Sequence, residues 1–272
     1  MSNNNNERYI FALDMDGTLL DDNKQISPQT KQFLSSLEKD GHVVILASGR
    51  PFRALKVFYD DIGLHSPLIC YNGAYCTHPY DKNFEETHFT FPKEIIKEIY
   101  KEVKPYVKNV MCETNDNIWL EKEDEELAKF FWHGNLKVTY GDIFQTLSDD
   151  PWTMLMQGKD KIYDDRILEA THKHKGFEVR FWYNSEYSEI YYLKTSKAKC
   201  LEQIAKYYNI PHKNIVAIGD ADNDIEMVSL SGYGIAMKNA NDSLKKVAKY
   251  ISEYDNNHDG VIHAIKHVLN LE

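Results

Sequence analysis

No stretch of this chain approaches the roughly 18 consecutive apolar residues that a membrane-spanning helix needs. Cysteine is scarce. Cys70, Cys76, Cys112 and Cys200 form no CxxC pair and no zinc-like spacing, so they read as buried free thiols in a reducing cytoplasm. Positive charge is in the minority, 32 Lys and Arg against 42 Asp and Glu, and the formal net charge of −10 argues against a nucleic-acid partner. There is no internal repeat and no low-complexity tract beyond the asparagines of the opening MSNNNNER. That opening lacks the apolar core of a secretory signal and reads as a short disordered tail.

What is present is the composition of a globular protein. The 272 residues are 42% hydrophobic and 12% aromatic, enough for one large domain or two ordinary ones with a sizeable core. An acidic protein that handles an anionic ligand must supply positive charge locally, from a metal ion or a few placed cations.

Three short apolar runs each end in a small polar or acidic cluster. Tyr9 to Leu13 leads into Asp14-Met-Asp-Gly-Thr18, His42 to Ala47 into Ser48-Gly-Arg-Pro51, and Asn214 to Ile218 into Gly219-Asp-Ala-Asp-Asn-Asp224. Such runs, β-branched and not alternating, predict strands buried on both faces of a parallel sheet. Between them lie helical patterns: one from Ser27-Pro28 to near Gly41, one opening at Pro51, and one over 197–208. Strand–helix–strand alternation predicts an α/β fold with a doubly wound, Rossmann-like parallel sheet.

The middle of the chain differs. It is rich in aromatics and charges, with alternating segments at 179–183 and 189–193 and helical stretches over 93–103, 123–131 and 161–174. We read an inserted α+β domain over 84–192, splitting a core domain into 1–83 and 193–272. The aromatics Trp132, Trp152, Trp182 and Tyr183 read as core packing; His133, His172 and His174 read as exposed, without metal-ligand spacing.

In a parallel α/β sheet, ligands gather at the carboxyl ends of the strands. Separate segments would therefore bring Asp14, Asp16, Ser48, Asp220 and Asp224 to one rim. Four carboxylates there would repel one another without a cation, and an oxygen-rich set of this kind suits Mg²⁺.

These residues carry a resemblance. Asp14-Met-Asp-Gly-Thr-Leu19 is similar to the first motif of the haloacid dehalogenase superfamily, Ser48 to the second, Lys197 in Thr195-Ser-Lys-Ala-Lys199 to the third and Gly219 to Asp224 to the fourth. Tyr71-Asn-Gly-Ala74, Gly234-Ile-Ala-Met-Lys-Asn-Ala240 and Asp259-Gly-Val261 resemble the Cof-type branch. Ala198 and Lys238 stand where that pattern often has glycine.

The resemblance implies a Mg²⁺-dependent phosphomonoesterase acting on small phosphorylated metabolites. Asp14 would be the nucleophile and form an aspartyl-phosphate. Asp16 would protonate the leaving group and then activate water, which calls for a raised pKa. Lys197 would neutralise charge between the nucleophile and the phosphate. Ser48, the N–H groups of Met15 and Gly49, Lys197 and Asn223 would hold phosphoryl oxygens, while Arg50 and Asn72 would touch substrate. The metal set would be Asp14, Asp16, Asp220 and Asp224, with Asp222 facing solvent. Gly17 would keep the turn clear of the phosphate.

Only about thirty residues separate Asp16 from Ser48, against about 150 between Ser48 and Lys197. The insertion thus falls where the family places a C2-type cap, of the C2B kind, which admits small substrates. A phosphotransferase or phosphomutase, and a non-catalytic metabolite-binding protein on the same fold, are the competing readings. Oligomeric state has no signature in the sequence.

Overall fold

A computed structural model of the chain describes residues 7–124, 127, 136–182 and 185–270. They fall into two compact units, one made of 1–88 and 196–272, the other of 89–195.

The first unit is built on β1 (Ile10–Leu13), β2 (Val43–Ala47), β3 (Leu68–Cys70), β4 (Tyr75–Thr77) and β5 (Thr87–His88). The second unit contributes β6 (Val107–Glu113), β7 (Asn117–Leu120), β8 (Lys137–Tyr140), β9 (Thr153–Gly158), β10 (Phe177–Phe181) and β11 (Tyr187–Tyr192). The chain then returns to the first unit with β12 (Ile215–Gly219), β13 (Tyr233–Ala236) and β14 (Tyr250–Ile251). The first sheet runs β14-β13-β12-β1-β2-β3-β4-β5. Its six strands from β14 to β3 are parallel, while β4 and β5 add an antiparallel edge. Because β5 pairs with β4, the first unit extends to residue 88, a few residues beyond the junction read from the sequence.

Every residue of β1, β2 and β12 is buried, as aliphatic strands covered on both faces require. Ser27 caps the helix Pro28–Lys39 by accepting a hydrogen bond from Thr30 N at 3.0 Å, with Pro28 at the first helical position. Helices Phe52–Ile62 and Lys197–Tyr208 follow the expected spans. Asp259, in the Asp-Gly-Val segment, accepts from Ser27 Oγ at 2.5 Å and Thr30 Oγ1 at 2.8 Å. It thereby joins the start of Pro28–Lys39 to the start of Gly260–Leu269, a structural role for that segment.

Chain direction fixes where ligands can gather. From β1 the chain winds through β2 to β3 on one side, then returns to β12, β13 and β14 on the other. The order reverses between β1 and β12, and the crevice at such a reversal opens beyond the strands' carboxyl ends. Asp14 and Asp220 immediately follow those two ends.

The second unit has a six-stranded sheet in the order β10-β11-β9-β6-β7-β8, antiparallel except for the β7–β8 pair. Ile96, Ile99, Cys112, Met154 and Ile167 belong to a core shared with helices Lys93–Val103 and Asp164–His172. Met111, Ile118, Leu120 and Leu155 form a second cluster with Leu127. β10 and β11 each begin two residues earlier than their sequence patterns suggest, because Phe177 and Tyr187 are themselves buried. Most of the helix expected over 123–131, together with Trp132, His133, Tyr183 and residues 1–6, lies outside the described residues.

Candidate active site

Asp14 still belongs to the ladder of the sheet: its N–H donates to Ile218 O at 3.0 Å. Its carboxylate, buried with the residue at 5% exposure, sits just past β1. Across the switch point, the turn after β12 folds back so that Asp224 Oδ2 accepts from Asp220 N at 3.0 Å and Ala221 N at 3.1 Å. Gly219 makes this possible, since a Cβ there would lie 2.4 Å from Asp224 Cγ.

Asp14, Asp220 and Asp224 each offer one carboxylate oxygen, and these oxygens lie within 4.8 Å of one another. Lys197, 1% exposed at the start of its helix, donates to Asp14 Oδ1 at 2.5 Å and to Asp224 Oδ1 at 2.6 Å. Thr18 Oγ1 donates to Asp220 Oδ1 at 3.1 Å. Burial, then the charge of Asp224, pushes the Asp14 carboxyl well above its ordinary range, against the pull of Lys197. Burial and Asp224 likewise lift Asp220 to about 6. For Lys197, burial acts to lower its pKa, but its two carboxylate partners win and hold it above the usual lysine value.

With all three carboxylates ionised and Lys197 protonated, two negative charges remain in this largely buried space, which one divalent cation would balance. The donor set is hard oxygen throughout, the chemistry that Mg²⁺ takes. Asp224 is also engaged with Lys197 and two backbone N–H groups, so it holds the cluster together as much as it adds charge.

Asp16 stands apart from this cluster and is not among the grouped ligands. Its Oδ2 accepts from Arg50 Nε at 2.6 Å; its Oδ1 accepts from Arg50 Nη2 at 2.7 Å and Lys24 Nζ at 2.7 Å. Burial acts to raise the Asp16 pKa, but the hydrogen bonds and charge of Arg50, and then of Lys24, lower it to about 2. In this arrangement two cations hold Asp16 ionised, against the raised pKa expected of it, and its carboxylate lies outside the Asp14, Asp220 and Asp224 group. Arg50, expected at the substrate, is the bidentate partner of Asp16 in this arrangement.

The remaining candidates lie on the first unit as well. Ser48 is buried, and its Oγ accepts from Arg50 N at 3.1 Å in the turn after β2. Gly49 lies against Asn72, and Asn223 Nδ2 donates to Asn72 Oδ1 at 2.9 Å. Met15 is fully buried, and its carbonyl receives the N–H groups of Leu19 at 3.0 Å and Leu20 at 2.8 Å. Gly17 has φ +80°, and a Cβ there would fall 2.4 Å from Asp220 Oδ2, so glycine at this position clears the carboxylate of Asp220. Exposed Asp222 accepts from Asn241 Nδ2 at 2.8 Å and so ties two loops together.

Two contributors were not assigned from the sequence. Thr18 stood inside the first motif, yet only the fold pairs it with Asp220, 202 positions away. Lys24 reaches Asp16 from a turn where its own φ is 59°, and nothing in the local sequence marks that reach.

Comparison with known proteins places this geometry in context. Residues 11–265 match the family model described as haloacid dehalogenase-like hydrolase. The chain is 33% identical to the 5-amino-6-(5-phospho-D-ribitylamino)uracil phosphatase YitU of Bacillus subtilis, over 97% of this chain and 98% of that protein. It is 26% identical to the pyridoxal phosphate phosphatase YbhA of Escherichia coli, over 89% and 92% of the two chains. A haloacid dehalogenase-like hydrolase from Bacteroides thetaiotaomicron superposes with a TM-score of 0.81 at 22% identity, covering 96% of this chain and all (100%) of that one.

Proposed function

The chain belongs to the haloacid dehalogenase-like hydrolases, and from that premise we propose that it is a Mg²⁺-dependent phosphomonoesterase of small phosphorylated metabolites. The observation that carries the reading is the group of Asp14, Asp220, Asp224 and Lys197, buried but for the half-buried Asp220, at the switch point of the sheet. Asp14 is the nucleophile: a carboxylate oxygen bonds to phosphorus as the ester P–O bond breaks, giving an aspartyl-phosphate. The leaving alkoxide takes a proton from Asp16. Water then attacks phosphorus, Asp16 takes its proton, and the Asp14 carboxylate is regenerated. Ionised Asp16, as found beside Arg50 and Lys24, is in the state that the second half needs. For the first half it must leave those cations and carry a proton.

Asp14, Asp220 and Asp224 would hold Mg²⁺, which would supply positive charge against the carboxylates and the phosphoryl group. Ser48, Gly49, Met15 and Asn223 are assigned to the phosphoryl oxygens. The substrate is a small molecule and the setting cytoplasmic. The named activities of YitU and YbhA make 5-amino-6-(5-phospho-D-ribitylamino)uracil and pyridoxal phosphate the first compounds to try.

The test is phosphate release from a panel of phosphorylated sugars, nucleotides and cofactors, with and without Mg²⁺, for the wild type and Asp14→Asn. We expect turnover that EDTA stops and Mg²⁺ restores, and a loss of about a thousandfold or more in a folded Asp14→Asn variant. A variant retaining even a tenth of wild-type turnover would remove Asp14 as nucleophile. Transfer of phosphate to a sugar in place of water would show in the products.

A further inference from the structure

The segment Tyr71-Asn-Gly73, in which the resemblance implies a substrate contact for Asn72, has a constrained backbone near the site. Three consecutive residues lie in the left-handed region: Tyr71 at φ 49°, Asn72 at 54° and Gly73 at 94°. Such geometry is unfavourable for a bulky residue and persists only where the surroundings over-determine it. Here they do. Tyr71 N donates to Arg50 O at 3.1 Å and Asn72 N to Ser48 O at 2.9 Å, which pins the turn to the loop after β2. Asn223 Nδ2 donates to Asn72 Oδ1 at 2.9 Å, which joins it to the loop after β12.

The third anchor is the helix that begins at Lys197. A Cβ on Gly73 would fall 2.3 Å from Ser196 O, and Cys200 Sγ donates to Gly73 O at 3.4 Å. Gly49 is close as well: a Cβ there would lie 2.9 Å from Asn72 Nδ2. One buried turn therefore touches the segments that carry Ser48, Lys197 and Asn223, which are far apart in the chain.

We propose that Asn72 is a positioning residue whose side chain orients Asn223 and whose left-handed backbone sets the Ser48–Arg50 loop against the Lys197 helix, without contacting substrate itself. This rests on the phosphatase reading and adds to it the part that registers three motifs with one another. An asparagine suits the position because it tolerates the left-handed region better than other side chains and offers a carbonyl to Asn223.

The test uses Asn72→Gly in the full-length protein, assayed with an aryl phosphate and Mg²⁺. Glycine adopts this φ freely, so the backbone is retained while the amide is lost. We expect the melting temperature to hold or rise, and kcat to fall roughly 10- to 100-fold with KM little changed, the scale typical of lost outer-shell contacts. The rise in melting temperature produced by orthovanadate with Mg²⁺ should shrink in parallel. In the double variant Asn72→Gly with Asn223→Ala, turnover should match that of Asn223→Ala alone within about twofold, because the two residues act through one contact.

Three results would overturn the proposal: wild-type kcat in Asn72→Gly, losses that multiply in the double variant, or a rise in KM with kcat intact, which would make Asn72 a substrate contact. A wild type that neither releases phosphate nor is stabilised by vanadate would remove the phosphatase reading, and this role with it. An active wild type with an equally active Asn72→Gly would remove this role alone.

Discussion

At the scale of single residues, the site is an electrostatic arrangement in which burial and charge oppose each other. Among the described residues, Lys197 donates to two of three clustered carboxylates, and burial, then the charge of Asp224, raises the pKa of Asp14 and Asp220. This has a consequence for stability. Asp220 holds its proton to about 6 in the fold against an ordinary 3.8, so the native state binds more protons than the unfolded chain between those values. Stability contributed by that proton is fully present below about 3.8 and is lost as pH rises through about 6. The metal-free protein should therefore lose melting temperature across that interval, Asp220→Asn should flatten the slope, and added Mg²⁺ should recover the loss most strongly near neutral pH. An Asp220→Asn profile parallel to wild type would assign the slope to other groups. Gly17 makes a second prediction. Ala there meets both the left-handed φ and the Asp220 carboxylate 2.4 Å away. Gly17→Ala should cost more than about 1 kcal/mol in urea unfolding, and Mg²⁺ stabilisation should weaken with it.

At the scale of elements, local chemistry was readable where a cap or a breaker announces itself. Ser27-Pro28 reads as a helix start from sequence alone, and the structure gives it the Thr30 hydrogen bond that such a start implies. Removing that acceptor in Ser27→Ala should cost about 1 kcal/mol, visible as a lower urea midpoint at unchanged slope. No shift in midpoint would mean that Asp259 alone secures the helix start, since it also receives Thr30 Oγ1. The short strands β3, β4, β5 and β14 were not legible, because runs of two or three residues carry no periodicity. They exist because neighbouring strands supply hydrogen bonds. The left-handed turn at Tyr71 to Gly73 is similar: the Asn-Gly pair signals a turn, but only packing forces Tyr71 into it.

At the scale of the whole molecule, the chain divides into two compact units, and all the candidate site residues that the structure describes belong to the first. Mg²⁺ with orthovanadate should slow amide exchange over 14–20 and 219–224 while leaving β6 and β9 of the second unit unchanged. Protection confined to the second unit would move the site. The sequence by itself determined the parallel α/β character of the core, the strand ends where the acidic clusters stand, and the position of the insertion, because these depend on short-range pattern and on residue spacing. The strand-end argument also brought Asp14 and Asp220 to one rim, while Lys197, at a helix start, entered through the family resemblance. Only the tertiary structure decided which carboxylates gather at Lys197 and which pairs with Arg50 and Lys24. Asp14 and Asp16 are two positions apart, yet one faces Lys197 and the other faces Arg50 and Lys24. A pKa depends on burial and on charges brought from elsewhere in the chain, and neither is a property of the local sequence.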